Sequence, residues 1–203
     1  MPEGFAAPTA GGSAAGQPSA ARPRVRLLAL GNELLADDAF GLLVAQAARA
    51  ARPDLEVADA AAGGFGLLDL ILDVDRLLVV DTVASGTAAP GTIHVVRADD
   101  VLPAAGGPSP HYAGLGEVLA LGRALGLAMP REVIIIAVEA ADGATVGGSM
   151  HPAVRAAIPE AVRMIGDLVD AGWCRPGADH PAAGGDGDAR TRADREHPED
   201  RAR

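Results

Sequence analysis

Residues 24–41 read RVRLLALGNELLADDAFG, and this stretch indicates how the chain folds. Arg24–Leu30 is a short apolar run that ends at a Gly-Asn pair, which is typical of a buried strand followed by a tight turn. Two adjacent acids, Asp37 and Asp38, then precede a segment with helical composition and spacing. A strand, a turn and a helix in this order predict the opening of an α/β fold.

Strands and helices continue to alternate along the chain beyond this stretch. The further predicted strands are Leu55–Asp59, Arg76–Val80, Thr92–Arg97 and Glu132–Glu139, and the predicted helices are Ala39–Ala51, Phe65–Leu72, His111–Leu125 and Pro152–Ala171. This alternation predicts an α/β three-layer sandwich, in which a mainly parallel sheet carries helices on both faces. In such sheets, ligands bind at the carboxyl ends of the strands.

The two ends of the chain differ from this alternating part. Residues 1–23 are rich in Ala, Gly, Pro and Ser, and residues 174–203 mix charges with Gly and Pro. Neither segment has enough large apolar side chains to offset the entropy cost of ordering. We therefore expect a disordered N-terminal tail at 1–23, one domain at 24–173, and a disordered C-terminal tail at 174–203.

The composition excludes several classes of function. A net charge of −10 argues against nucleic acid or an anionic membrane as the main partner, because both attract a positive surface. All 17 basic residues are arginine, so neither a P-loop lysine nor a Schiff-base lysine is available. Cys174 is the only cysteine. With no long apolar run and no secretory signal at the N-terminus, we expect a cytoplasmic protein. We also expect a monomer.

Three polar residues are the strongest candidates for a site at the strand ends. Taken singly, each of them has a structural explanation, as does the neighbouring Asp37: Asp37 caps a helix and Asp38 favours its dipole, Asp81 is a loop carboxylate, and His111 is a structural or exposed histidine. Asp38, Asp81 and His111 each follow a strand or lie on a loop that returns to the same edge. Two carboxylates and one imidazole can hold a borderline divalent metal and leave coordination positions open.

Other catalytic arrangements find little support in the sequence. No G-x-S-x-G, H-E-x-x-H or G-x-G-x-x-G motif occurs where its chemistry would require it. His94 falls within a predicted strand, and His151 precedes the last helix, where capping or exposure is expected. The glycine-rich segment Ala141–Ser149 (ADGATVGGS) predicts a mobile loop near the same edge, placed to touch a substrate.

The motifs, taken together, resemble the hydrogenase maturation proteases. The segment from Gly31 to Gly41 is similar to that family's opening G-N-x-L-x-x-D-[DE]-x-x-G signature. Ala89–Thr92 (APGT) follows Asp81 as the family's segment would, and the element around Ser109-Pro110-His111 and Gly148–Val154 (GSMHPAV) also match in order. The resemblance covers about residues 25–171 and implies a twisted five-stranded sheet flanked by helices.

The same resemblance implies a function. It assigns Asp38, Asp81 and His111 as both catalytic and metal-contacting residues, the metal being nickel already inserted in a hydrogenase large-subunit precursor. The enzyme then removes a short C-terminal extension, with no organic cofactor. Two mechanisms stay open: the nickel assists hydrolysis, with one of these carboxylates or Asp59 as the base, or it only docks the precursor.

One segment departs from the family pattern, and two other functions remain open. Residues 59–64 read DAAAGG where the family has D-G-G-T-x-G, which affects the shape of that loop. A non-catalytic α/β module that checks the hydrogenase nickel site is one alternative. A small-molecule hydrolase or phosphorylase is the other, although an acidic edge without lysine disfavours an anion pocket.

Overall fold

A five-stranded sheet forms the centre of the protein. The computed structural model describes residues 23–61, 64–101 and 110–171, with the side chains of 110–113 left out. The strands are β1 (Val25–Leu30), β2 (Glu56–Ala60), β3 (Arg76–Val83), β4 (Ile93–Arg97) and β5 (Glu132–Glu139). Their order is β2-β1-β3-β5-β4, with every neighbouring pair parallel except the antiparallel β4 and β5.

The central strands are apolar because both faces of the sheet are covered. From Leu27 to Leu30, from Leu77 to Val80 and from Ile134 to Ile136, every side chain is fully buried. This pattern of continuous apolar runs is typical of parallel strands with helices on both sides. No residue of the edge strands β2 and β4 is fully buried, and each strand includes polar residues among its apolar ones.

Helices pack on the two faces of the sheet as separate layers. Their bounds are α1 (Phe40–Ala51), α2 (Leu68–Ile71), α3 (Ala98–Val101), α4 (Pro110–Ala124), α5 (Pro152–Ala156) and α6 (Ile158–Asp170). Phe40 of α1 and Ile165 of α6 belong to one apolar cluster, and Ile71 of α2 and Leu115 of α4 belong to the other. The predicted three-layer α/β sandwich with a mainly parallel five-stranded sheet is confirmed.

Strand β3 is longer than the sequence predicts. We expected it to end at Val80 and to leave Asp81 in a loop, but the strand continues to Val83. Its last three residues pair with Ala137–Glu139 of β5. This backbone pairing extends the strand beyond Asp81, although Asp81 is charged. The interpretation of Asp81 as a loop carboxylate is therefore wrong.

The last predicted helix is two helices. Instead of running unbroken from Pro152 to Ala171, it turns at Ala157 between α5 and α6. Pro159 explains the interruption, since proline has no amide proton to donate to the carbonyl four residues earlier. The predicted helix at Phe65–Leu72 is likewise split, into a 3-10 turn (Phe65–Leu67) and α2.

All of the described residues lie within one compact unit. Apart from Pro23, the segments predicted to be disordered tails lie outside the described residues, so those predictions stand untested. Among the helices that are described, none is both long enough and apolar enough to cross a membrane.

Two glycines let the chain after β1 fold tightly against the strand ends. A Cβ atom at Gly41 would stand 2.2 Å from the Leu30 carbonyl oxygen, and one at Gly31 would stand 2.1 Å from the Asp38 carbonyl oxygen. Gly31 also has a φ of +148°, which side-chain-bearing residues rarely adopt. The helix α1 can approach β1 this closely only because these positions lack side chains.

We expect Gly41→Ala to lower the free energy of unfolding by about 1–3 kcal/mol, because the new methyl group overlaps backbone atoms that must move. Urea unfolding at neutral pH measures the change. Gly66→Ala is the matched control, since nothing lies within 4 Å of the added carbon there. Equal stability of the Gly41→Ala and wild-type proteins would contradict the close approach.

Candidate active site

A cavity of about 350 Å³ opens at the carboxyl ends of the strands. Its described lining is Asn32, Leu35 and Asp38 after β1, Ala61 after β2, Thr82, Val83 and Ala84 around the end of β3, and Ala140, Gly143 and Ala144 after β5. In the sheet, β2 lies on one side of β1 and β3 lies on the other side, so the chain segments that follow β1 and β3 diverge. A cavity at such a divergence is where open α/β sheets bind ligands.

Asp38 is the acid that borders this cavity. It lies in a 3-10 turn, Asp37–Ala39, which leads into α1, and only 9% of its surface is exposed. A carboxylate that is mostly buried but reaches a cavity of this size is placed to contact a cation or to accept a proton from water. The predicted position of Asp38 at the carboxyl edge of the sheet is confirmed.

Asp81 lies deeper in the same edge. It is fully buried, and one carboxylate oxygen accepts a hydrogen bond from the Thr82 amide at 2.7 Å. Because side chains alternate along a strand, Asp81 shares its face with Val83, which belongs to the apolar cluster that contains Leu115 of α4. His111 is the second residue of that helix, so the fold brings Asp81 and the start of α4 to one side of the sheet.

The assignment of Asp38, Asp81 and His111 as a ligand set stays a prediction. The side chain of His111 lies outside the described residues. Within the part of the chain whose side chains are described, no three His, Cys, Asp or Glu residues stand together as a metal site. Asp38 and Asp81 supply the oxygen donors that the predicted set requires.

Asp37 has a different environment from its neighbour Asp38. Its carboxylate is fully buried and accepts hydrogen bonds from three backbone amides: Ala141 and Asp142 at 2.8 Å, and His151 at 2.6 Å. The prediction that Asp37 caps its own helix is wrong, since the turn that it begins has no side-chain cap. Instead, one carboxylate joins the two ends of the 141–151 loop.

The same loop is also tied along its length to the chain after β1. The Ala36 amide donates to the Thr145 carbonyl, the Gly147 amide donates to the Leu34 carbonyl, and Leu35 and Val146 form an antiparallel bridge. The glycine-rich composition predicted a mobile loop at this edge. The structure shows a loop that is hydrogen-bonded to the chain after β1 at several points. Two residues of this loop, Gly143 and Ala144, line the cavity.

Comparison with known proteins identifies the family. A family model described as "Hydrogenase maturation protease" matches residues 43–168, which span the chain from α1 to α6. The chain belongs to the hydrogenase maturation protease family. The matched residues include Asp81 and His111, whereas Asp37 and Asp38 lie before them.

Individual relatives agree with this membership. The hydrogenase expression/formation protein HoxM of Azotobacter vinelandii is 35% identical over 147 residues, which cover 70% of this chain and 70% of that protein. The hydrogenase maturating endopeptidase HybD of E. coli is 29% identical in sequence, with a TM-score of 0.63 over 73% of this chain and 94% of that one. The [NiFe] hydrogenase maturation protease HybD of Thermococcus kodakarensis has a TM-score of 0.59 and 26% identity, over 72% of this chain and 99% of that one.

Asp59, the third acid considered as a base, is not part of the cavity lining described for this maturation protease. It is exposed on β2, and its carboxylate accepts a hydrogen bond from the Arg49 guanidinium at 2.6 Å. The loop after it departs from the family pattern, and Ala61 from that loop does line the cavity. The structure therefore places Ala61, rather than Asp59, beside the candidate active site of the protease.

The sequence of the protease did not point to one further buried acid, Glu139 at the end of β5. Only 1% of its surface is exposed, and it accepts hydrogen bonds from the Ser85 hydroxyl at 2.7 Å and the Gly86 amide at 2.8 Å. His94 on β4 lies 3.2 Å away. Burial raises the pKa of Glu139, but hydrogen bonds from Ser85, Gly86 and His94 outweigh it and hold the pKa below the usual 4.5.

The contacts of Asp37 and Glu139 left little signal in the sequence. Asp37 is adjacent to a second acid, and nothing in the local sequence indicates which of the two faces the cavity. Glu139 ends an apolar strand, where an acid is also expected simply because the strand reaches solvent. The partners of Asp37 are backbone amides of a distant segment, and an amide carries no residue-type signature; Glu139 has one such amide, from Gly86, beside the side chains of Ser85 and His94.

Asp37→Asn should loosen both ends of the 141–151 loop in the protease, because an amide group offers one acceptor oxygen where the carboxylate offers two. We expect the free energy of unfolding to fall by about 1–3 kcal/mol. Native-state hydrogen exchange should show faster exchange at the amides of Ala141, Asp142 and His151.

Asp142→Asn is the control for this clamp, because the Asp142 carboxylate accepts from amides of its own loop at Ala144 and Thr145. Faster exchange in that variant should be confined to those two amides. If folded Asp37→Asn protects the amides of Ala141 and His151 as the wild type does, Asp37 does not hold the loop.

Glu139→Gln should remove a pH-dependent part of the stability. Because the pKa of Glu139 is lower in the folded protein, its contribution is complete above pH 4.5 and is lost as the pH falls through the folded value. We expect the variant to be less stable than wild type by about 1–3 kcal/mol at neutral pH, with the difference shrinking as the pH falls from neutral through the folded pKa of Glu139. Urea unfolding across that pH range tests this prediction, with the exposed Glu33→Gln as the control variant. A difference in unfolding free energy between wild type and Glu139→Gln that does not change with pH would refute it.

Proposed function

We propose that this protease removes a C-terminal extension from the precursor of a nickel–iron hydrogenase large subunit. Membership of the maturation protease family and the cavity at the carboxyl ends of β1 and β3 together support this proposal. The position of Asp38 is the observation that carries it, since peptide hydrolysis needs a group that can take a proton from the attacking water.

Nickel in this proposal belongs to the substrate and arrives with the precursor. Asp38, Asp81 and His111 would contact it, because two carboxylates and one imidazole form a donor set that suits a borderline divalent ion. Such a set leaves coordination positions for the precursor's own ligands. When present, the ion supplies polarisation of the scissile carbonyl or of a bound water.

Asp38 and Asp81 would have different roles because they are buried to different depths. Asp38 borders the cavity, so it is the carboxylate that a water molecule held there can reach. Asp81 is fully buried, and the Thr82 amide fixes one of its oxygens. We therefore expect Asp38 to act as the base if the reaction is metal-assisted hydrolysis, and both acids to act as recognition groups if the nickel only docks the precursor.

Intact-mass measurement of a nickel-loaded large-subunit precursor, before and after incubation with this protein, tests the proposal directly. We expect the C-terminal extension to be lost with nickel-loaded precursor and retained with nickel-free precursor. An unchanged mass for a correctly loaded partner that still binds would instead indicate a binding module that checks the nickel site.

Substitutions identify the residues that take part in cleavage. Asp38→Asn, Asp81→Asn and His111→Ala should each lower the cleavage rate by about 100-fold or more, as expected for the loss of an acid–base group or a metal contact. Asp59→Asn is the matched control, because Asp59 pairs with Arg49 on the surface. Wild-type cleavage by His111→Ala would refute both metal-assisted hydrolysis and metal-gated docking.

Asp38→Asn also separates the two mechanisms. If Asp38 is the base, the variant should lose cleavage to a far greater extent than it loses affinity for the nickel-loaded precursor. If the acids only recognise nickel, binding should weaken together with cleavage. Titration of the precursor against the variant, followed by single-turnover cleavage, distinguishes these outcomes.

A further inference from the structure

Two large apolar side chains stand exposed beside the cavity. Leu34, on the chain after β1, is 62% exposed, and Val146, on the loop after β5, is 76% exposed. The residues that carry them lie on adjacent backbone segments, because Gly147 donates to the Leu34 carbonyl and Leu35 forms a bridge with Val146. We call this pair of side chains the Leu34–Val146 patch.

The patch is held in place by the backbone around it. The Leu34 amide donates to the Asn32 side chain at 3.0 Å, and the Ala36 amide donates to the Thr145 carbonyl. Asp37, next along the chain, joins both ends of the loop that carries Val146. An apolar side chain on an anchored loop loses little conformational freedom when a partner covers it, which favours binding.

The patch is continuous with the candidate active site. Leu35, which lies between Leu34 and the 3-10 turn, lines the cavity, and so do Gly143 and Ala144 from the loop of Val146. A polypeptide that leaves the cavity on this side therefore passes over the patch. Several backbone groups here are already paired within the protein, so contact would be made mainly through apolar side chains rather than by strand addition.

A polypeptide substrate is the occupant that these observations favour. Stable contact with a second copy of this chain needs about 800 Å² per partner, far more than two side chains supply. A chain already held in the adjacent cavity needs only a small additional contact. An anionic membrane is disfavoured by the net charge of −10.

We propose that the Leu34–Val146 patch is a docking surface for an apolar segment of the hydrogenase large-subunit precursor next to the bond that is cut. This inference rests on the proposed function and adds to it the place and the chemistry of substrate contact. The patch binds substrate and does not take part in the chemical step, so it should affect KM rather than kcat.

The test is the cleavage kinetics of the double variant Leu34→Ser/Val146→Ser on nickel-loaded precursor. We expect KM to rise about ten-fold with kcat unchanged, because the variant loses the burial of two apolar side chains. Leu125→Ser is the matched control. It removes a leucine that is also 62% exposed but follows the carboxyl end of α4, away from the cavity lining, and should leave KM unchanged.

The outcomes separate this inference from the proposed function. If wild type cleaves the precursor and the double variant has the same KM, the docking surface is refuted and the protease function stands. If wild type does not cleave, the dissociation constants of the precursor with wild type and double variant decide: a ten-fold weaker variant supports the patch, and equal values or no binding refute it. A wild-type dimer that the double variant abolishes would show that a second copy covers the patch, and would refute the proposal.

Discussion

The buried carboxylate of Asp37 is the constraint on which the arrangement of the site depends. A charge removed from water is tolerated only where hydrogen-bond donors surround it. Here the donors are three backbone amides of the 141–151 loop, more than 100 residues further along the chain. The hydrogen bonds to this one carboxylate therefore fix how the segment after β1 and the segment after β5 lie against each other.

The sheet topology explains why this constraint operates at a cavity. The chain leaves β1 towards β2, while β3 and β5 extend the sheet on the opposite side, so the loops diverge above the strand ends. Gly41 lets α1 begin close to the Leu30 carbonyl, which brings the acidic turn down onto the sheet edge. The 141–151 loop then closes the cavity from the far side, and Asp38 is left facing into it.

The sequence predicted the parts of the fold that depend on side-chain pattern. The apolar runs of β1 and β5 and the helical spacing of α1 identified their elements to within a residue or two, because burial on both faces demands continuous apolar character. The predicted end of β3 was wrong, because backbone pairing with β5 continues beyond Asp81. Backbone pairing and clamping by amides leave no residue-type pattern, so the role of Asp37 required the structure.

Asp37 and Asp38 show how two identical neighbours can serve different purposes. Successive residues of a tight turn point in different directions, so one carboxylate faces the 141–151 loop and the other faces the cavity. The first holds a wall of the cavity, and the second lies where chemistry can occur. Because that wall is anchored through backbone amides, outward side chains such as Leu34 and Val146 can vary at little cost to the fold. A frame of this kind lets outward side chains change while the geometry around Asp38 is kept.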